Sequence, residues 1–305
     1  MPLKQMLKKD FVGGVAPTAG GTHIKSPRVK VSTLSDIEDR ILKMMLYGGQ
    51  GTGKTFVICA LLELGYKILI LTTDFGGDGL NTVRLEMKRW KKKHLLKNTR
   101  VVEATGYDAI RDFIDNPTTY VEGLWTEFVP DLIFWDGFSA FQQVDIAEHV
   151  SDSGKGDDSD LKFEMSQWGM VRNATIRTVN DFLNMGSGDH KPHKIVTCLE
   201  EVKVKEGTQE DKLAPLMQGA GKILAGAGFD LIWRVSCNMV GTGDNVSASY
   251  KYQTKPDGTK RVGKSRGFDV PYELPADMYH TWVALTDELE LPRPEGYVPK
   301  EKDDS

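Results

Sequence analysis

The segment Gly48-Gly49-Gln50-Gly51-Thr52-Gly53-Lys54-Thr55 is where residue types and spacing most directly specify chemistry. It fits G-x-x-x-x-G-K-[ST], which a chain of this size matches by chance on the order of one time in a hundred. The glycines let backbone N–H groups turn inward around a phosphate, a position that side chains would obstruct. Lys54 would reach the β- and γ-phosphates, and the Thr55 hydroxyl would ligate Mg²⁺. Residues Gly48 through Thr55 are therefore the candidate binding residues for a nucleoside triphosphate, taken as ATP, with Mg²⁺. A magnesium held in this way also needs a carboxylate, usually at the end of a buried strand. Asp136 follows Leu132-Ile133-Phe134-Trp135 and stands in that place. Thr55 and Asp136 are the expected metal ligands, and Lys54 and Asp136 are expected to take part in catalysis.

The elements that must position these groups can be read around them. Ile41 to Tyr47 is an apolar run ending in glycine, Thr55 to Leu64 reads as a helix closed by Gly65, and Lys67 to Thr73 is a second buried strand. Neither strand alternates, and helices separate them, which predicts an α/β fold with a mostly parallel sheet flanked by helices on both faces. A strand is expected near Arg100 to Glu103, a helix over Tyr107 to Ile114, and a strand over Asp131 to Trp135. Beyond them come a long helix over Leu161 to Met185 and strands over Lys194 to Leu199 and Asp230 to Cys237. Pro215 to Gly228 reads as a glycine-rich helix. Ser247 to Thr254 and Thr259 to Lys264 flank Pro256-Asp257-Gly258, which predicts a C-terminal β-hairpin extension.

Composition limits the rest. The chain has 305 residues, 40% hydrophobic and 27% charged, with a formal charge of −4 and a mean hydropathy of −0.35. No run of about 18 apolar residues exists to span a membrane, and Met1 to Lys30 has no apolar core of a secretory signal. Cys59, Cys198 and Cys237 form no C-x-x-C pair, which argues against a disulfide scaffold or zinc ribbon and suits a reducing cytoplasm. Charge is unevenly placed. Residues 1–30 carry a net +5 with scattered glycines and prolines, residues 81–100 carry +7, and Asp145 to Asp160 is acidic. The expected organisation is a flexible basic arm over residues 1–30, one α/β domain over 31–290, and a flexible tail over 291–305. His190-Lys191-Pro192-His193 reads as a polar loop, and Gly219-Ala220-Gly221-Lys222 lacks the hydroxyl and preceding strand of a second phosphate loop.

These residues together resemble the RecA-like ATPase core. They look most like phage-encoded AAA-domain nucleotide-binding proteins of the single-strand annealing and recombinase type. The resemblance spans Met44 to about Arg266 and is carried by LYGGQGTGKT, ILTTDFGG, LIFWD, Gln167-Trp168-Gly169, Val196-Thr197-Cys198-Leu199-Glu200 and Lys264-Ser265-Arg266. Leu199 stands where such proteins commonly carry a His. The Lys54–Asp136 separation fits the P-loop division in which a further strand lies between the strands bearing the loop and the aspartate. The resemblance implies that Asp74, at the end of the strand after the P-loop helix, activates water, with Asp78 and Glu200 in reserve. It implies that Lys264 and Arg266 act in a neighbouring subunit's site, and hence a homo-oligomer, ring or filament. Together with the charge pattern it implies ATP hydrolysis on single-stranded DNA in phage recombination, repair or replication, in the cytoplasm (the host's, for a phage protein). A single-strand-binding or replication protein is a further expected partner.

The basic stretch between Asn81 and Arg100 reads as a helix able to track a phosphate backbone through Arg84, Lys88, Arg89, Lys91, Lys92 and Lys93. Trp90 inside it suits either a base or the core. Lys203 and Lys205 join the candidates, on a loop where RecA-like recombinases contact DNA. The acidic stretch and the −4 charge support a second reading: a nucleotide-dependent switch or assembly ATPase acting on a protein partner without direct DNA binding. A small-molecule kinase is a third.

Overall fold

The computed structural model describes residues 41–73, 78–141, 165–204, 211–216, 226–241, 247–257, 262–266, 269–288, 290–295 and 297. The basic arm, the acidic stretch, Gly219-Ala220-Gly221-Lys222 and residues 298–305 lie outside them.

Apolar runs buried along their length make the parallel centre of the sheet. β1 (Lys43–Gly48), β2 (Ile68–Thr72) and β4 (Leu132–Asp136) are buried almost throughout. With β3 (Thr99–Glu103), β5 (His193–Val204) and β7 (Leu231–Val240) they lie in the order β7-β1-β5-β4-β2-β3, all parallel. The period-2 alternation of strand side chains divides each strand between two cores. Met44, Leu46, Ile70, Phe134 and Trp233 face the side packed by α1 (Val57–Glu63) and α6 (Met278–Glu288). Met45, Tyr47, Leu71, Trp135 and Cys198 face the side packed by α3 (Tyr107–Asp115) and α5 (Met165–Asn184). A short helix, α4 (Pro117–Tyr120), follows α3. β5 lies between β1 and β4, so a strand does separate the loop-bearing strand from the Asp136 strand. The result is a ten-stranded mixed α/β sheet, consistent with a RecA-like fold.

Antiparallel strands extend both flanks of the loop-bearing strand. β6 (Asp211–Pro215) pairs with the far end of β5, so Pro215 closes a strand rather than opening a helix. β8 (Ser247–Gln253) pairs with β7 and with β10 (Glu273–Pro275), while β9 (Lys264–Ser265) pairs with β7. The expected hairpin between 247–254 and 259–264 is thus replaced by other pairings. β8 ends at Gln253 opposite Arg234, and β9 resumes at Lys264 opposite Ile232. The Pro256-Asp257-Gly258 signal falls in the connection between two segments of one edge. Its neck is held by Trp233 Nε1 donating to Ser265 Oγ (3.0 Å), which donates to Thr254 O (2.9 Å).

The basic stretch is not one helix. α2 (Asp78–Arg89) ends where Lys91 adopts φ 59°, with Lys92 N–H donating to Met87 O and Lys91 N–H to Lys88 O. This is a Schellman stop built on lysine instead of glycine, at a conformational cost of about 1–2 kcal/mol. The stop lets Trp90 pack while partly buried. The indole meets the Phe56 ring edge-on at 5.4 Å and packs on the core, and Lys92 turns back to pair with Glu63. A 3₁₀ turn over Lys93–Asn98 then leads into β3.

Leu291, Pro292 and Tyr297, which fall within the expected tail, meet the core. Leu291 is buried, Tyr297 packs edge-on against Tyr66 at 6.2 Å, and Pro292 O meets His193 Nε2 at 3.3 Å. His193 is no polar-loop residue: it opens β5, 3% exposed, beside Trp282. Leu42 N–H donates to its Nδ1 at 3.0 Å, so that nitrogen carries the lone pair and Nε2–H donates to Pro292. Burial lowers its pKa from 6.5 to about 4. The unfolded ring therefore takes up a proton before the folded one does. The contribution to stability is complete above pH 6.5 and is lost as pH falls towards 4. The stability difference between the wild type and His193→Gln should shrink by about 3 kcal/mol from pH 7 to pH 4, read from urea midpoints. A constant difference would show that the ring does not titrate in this way.

Candidate functional site

The end of β1 and the start of α1 build the phosphate loop. Gly51 (φ 70°) and Gly53 (φ 88°) adopt left-handed backbone that other residues rarely take. Gly48 is pressed against β7, so a Cβ there would lie 2.2 Å from Val235 O. The helix opens through i→i+3 turns, Val57 N–H to Lys54 O and Ile58 N–H to Thr55 O, which is why α1 starts two residues later than expected. Gly65 closes it as expected, with Tyr66 N–H on Leu61 O and Gly65 N–H on Leu62 O. Lys54 Nζ lies over the loop and donates to Gly48 O (2.9 Å) and Gly49 O (2.7 Å). Thr52 Oγ1 donates to Gly49 O (2.9 Å).

Thr55 and Asp136 meet from opposite sides of the cleft. Thr55 Oγ1 donates to Asp136 Oδ2 at 3.0 Å, across 81 residues of chain. Asp136 is 3% exposed, and its Oδ1 accepts from Thr197 Oγ1 (2.5 Å) on β5. Thr197 in turn accepts from Gly137 N–H (3.1 Å), and Thr73 donates to Gly137 O (2.6 Å). Strands β2, β4 and β5 thereby fix one carboxylate rotamer. One hydroxyl and one carboxylate oxygen form the hard-oxygen pair that suits Mg²⁺, which keeps several waters and takes the rest of its shell from phosphate. Among the described residues no group of three or more His, Cys, Asp or Glu gathers to hold another metal.

The loop opens into a cleft of about 1140 Å³. One wall is the face of α2 bearing Gly79, Thr82, Glu86 and Arg89, and the other is Tyr250 of β8 with Asp277 and His280 at the start of α6. The Tyr250 ring lies 3.8 Å from where a Cβ on Gly53 would be. Sequence reasoning missed Gly79 and Tyr250. A glycine placed in a helix is a signal for the first; nothing local marks the second.

The other expected residues are placed as follows. Asp74 and the Asp78 side chain lie outside the described residues. Glu200 is engaged by Arg234, which donates through Nε (2.5 Å) and Nη2 (3.1 Å) in a largely buried pair beside the end of β1. Lys264 and Arg266 do not share a strand, since β9 stops at Ser265 and Arg266 lies in a turn whose N–H bonds Asp230 O. Lys264 Nζ donates to the carbonyls of Gly226 (3.0 Å), Ala227 (3.3 Å) and Phe229, and burial lowers its pKa. It sits level with Met45, towards the start of β1 and away from the chain's own phosphate loop. Arg84, Lys88, Arg89, Lys91 and Lys93 are exposed, but Arg89 pairs with Glu86 (2.5 Å) and Lys92 is half-buried against Glu63. The Lys203 side chain and Lys205 lie outside the described residues. No disulfide joins the three cysteines, and no helix among the described residues is long and apolar enough to cross a membrane.

No protein-family profile matches this chain, and no curated protein does. Among solved structures, flagellar accessory protein FlaH from Methanocaldococcus jannaschii is similar over 76% of this chain and 84% of its own, with a TM-score of 0.36 and 12% identity. A likeness that loose carries no weight for function.

Proposed function

We propose that this chain is a Mg²⁺-dependent ATPase acting on single-stranded DNA in recombination, repair or replication, as a cytoplasmic homo-oligomer. The observation that carries the nucleotide half is the line Thr55–Asp136–Thr197 beneath a glycine-built loop with Lys54 over it. The loop N–H groups and Lys54 bind the polyphosphate and counter charge developing on the transferred phosphoryl oxygens. Mg²⁺, held by Thr55 and Asp136, would supply charge neutralisation and orientation at those oxygens. Thr197 holds the Asp136 carboxylate in place, and Asp74 remains the proposed activator of water. The trans-acting role of Lys264 and Arg266 requires Lys264 to exchange its carbonyl partners for a neighbour's phosphate.

The exposed cations Arg84, Lys88 and Arg89 on α2, with Lys91 and Lys93 just beyond its end, support the DNA half, because α2 also walls the nucleotide cleft. Leu85, 58% exposed among them, favours the second reading, a protein partner such as a single-strand-binding or replication protein. Mobility shifts with single-stranded DNA and ATP separate the two. Five phosphate contacts should weaken binding roughly 100-fold between about 50 and 200 mM salt. No binding at low salt overturns the DNA half, and ATP binding indifferent to Mg²⁺ overturns the nucleotide half.

A further inference from the structure

Gly79 is the second residue of α2, where glycine supports a helix less well than alanine would. Its backbone is not left-handed, so conformational freedom does not account for it. Space does. A Cβ built on Gly79 stands 3.2 Å from Asp136 Oδ2, 3.5 Å from Thr55 Oγ1 and 3.7 Å from Thr55 Cγ2. The first turn of α2 thus brings bare backbone down onto the two oxygens that hydrogen-bond each other at 3.0 Å. Thr82, one turn on, lines the same cleft.

We propose that Gly79 is a positioning residue for the metal: its missing side chain keeps open the space beside Thr55 and Asp136 that a hydrated Mg²⁺ needs. The inference rests on the nucleotide reading above. Mg²⁺ gives up its waters reluctantly and demands near-octahedral geometry, so a methyl in contact with both ligand oxygens competes with the ion's own shell. The same methyl should strengthen the helix. Against that gain, a Cβ 3.2 Å from Asp136 Oδ2 needs the carboxylate to give by a few tenths of an ångström, so metal binding is expected to fall while stability without metal changes little, which a residue needed for folding would not give.

The test uses the full chain as wild type, Gly79→Ala and Gly79→Val. ATP binding is titrated by calorimetry against Mg²⁺ and again in EDTA, with melting temperatures in EDTA. Gly79→Ala should raise the half-saturating Mg²⁺ concentration about 10-fold or more. Its ATP affinity and melting temperature in EDTA should be unchanged or higher, and Gly79→Val should raise the Mg²⁺ requirement further. An unchanged Mg²⁺ requirement in Gly79→Ala overturns the inference. So does a fall in both melting temperature and EDTA-state ATP affinity, which would make Gly79 a folding residue. A wild type whose ATP binding ignores Mg²⁺ would overturn the nucleotide reading itself.

Discussion

Lys54→Ala is expected to cut the rate of ATP hydrolysis by about 100-fold or more, which is at least about 2.7 kcal/mol of transition-state stabilisation. The ammonium lies within the mouth of the loop, 2.9 and 2.7 Å from the carbonyls of Gly48 and Gly49, at the place from which a β- or γ-phosphate would draw it. Gly49 is partly exposed although Gly48 is buried, and removal of the lysine side chain leaves room for water to take over both bonds. The melting temperature should therefore move little while turnover collapses. Phosphate release by purified protein, alongside a thermal melt, reads both quantities. Turnover within twofold of wild type would remove Lys54 from the mechanism, and the ATPase reading with it.

The parts of this site that were legible are those the chain writes locally. The phosphate loop is contiguous, and its glycines at 51 and 53 take the left-handed backbone that the pattern anticipates. Asp136 was visible because a fully apolar strand ends on it. The strands β1, β2 and β4 were visible because burial on both faces removes alternation. What escaped depends on meetings far apart in the chain. Glu200 was read as a spare base because nothing near it announces Arg234, 34 residues on, as its partner. The stop after Arg89 was hidden because a lysine fills the position where glycine usually signals the end, and the contact of Trp90 with Phe56 that accompanies it is not local in sequence. The polar segment from residue 291 onward concealed Leu291 and Tyr297, which cover the core around Tyr66 and Trp282. The Pro256-Asp257-Gly258 signal is local, whereas the edges of β8 are taken by β7 and β10, which lie elsewhere in the chain.

Asp136→Asn should abolish the Mg²⁺-dependent part of ATP binding while leaving the fold intact. Asparagine keeps the shape of the side chain, and the hydroxyls of Thr55 and Thr197 that meet it can accept as well as donate. The network can therefore re-form around an amide, whereas a cation loses its charged ligand. Burying a carboxylate at 3% exposure carries a desolvation cost that hydroxyl partners offset in part, and the neutral amide avoids it. Without metal the variant should melt at the wild-type temperature or above. With Mg²⁺ present and ATP at about 100 times its dissociation constant, the wild type should gain about 2.7 kcal/mol over the nucleotide-free protein. The share of that gain that EDTA removes from the wild type should be absent in Asp136→Asn, with ATP in EDTA giving each protein the same increment over its own nucleotide-free melt. Thr197→Val is the companion case. It removes one of the bonds that orient the carboxylate but no ligand, so it should weaken the Mg²⁺ dependence about 10-fold rather than erase it. A full Mg²⁺ increment in Asp136→Asn would place the metal elsewhere, and the Thr55–Asp136 bond would then be only a strut between α1 and β4.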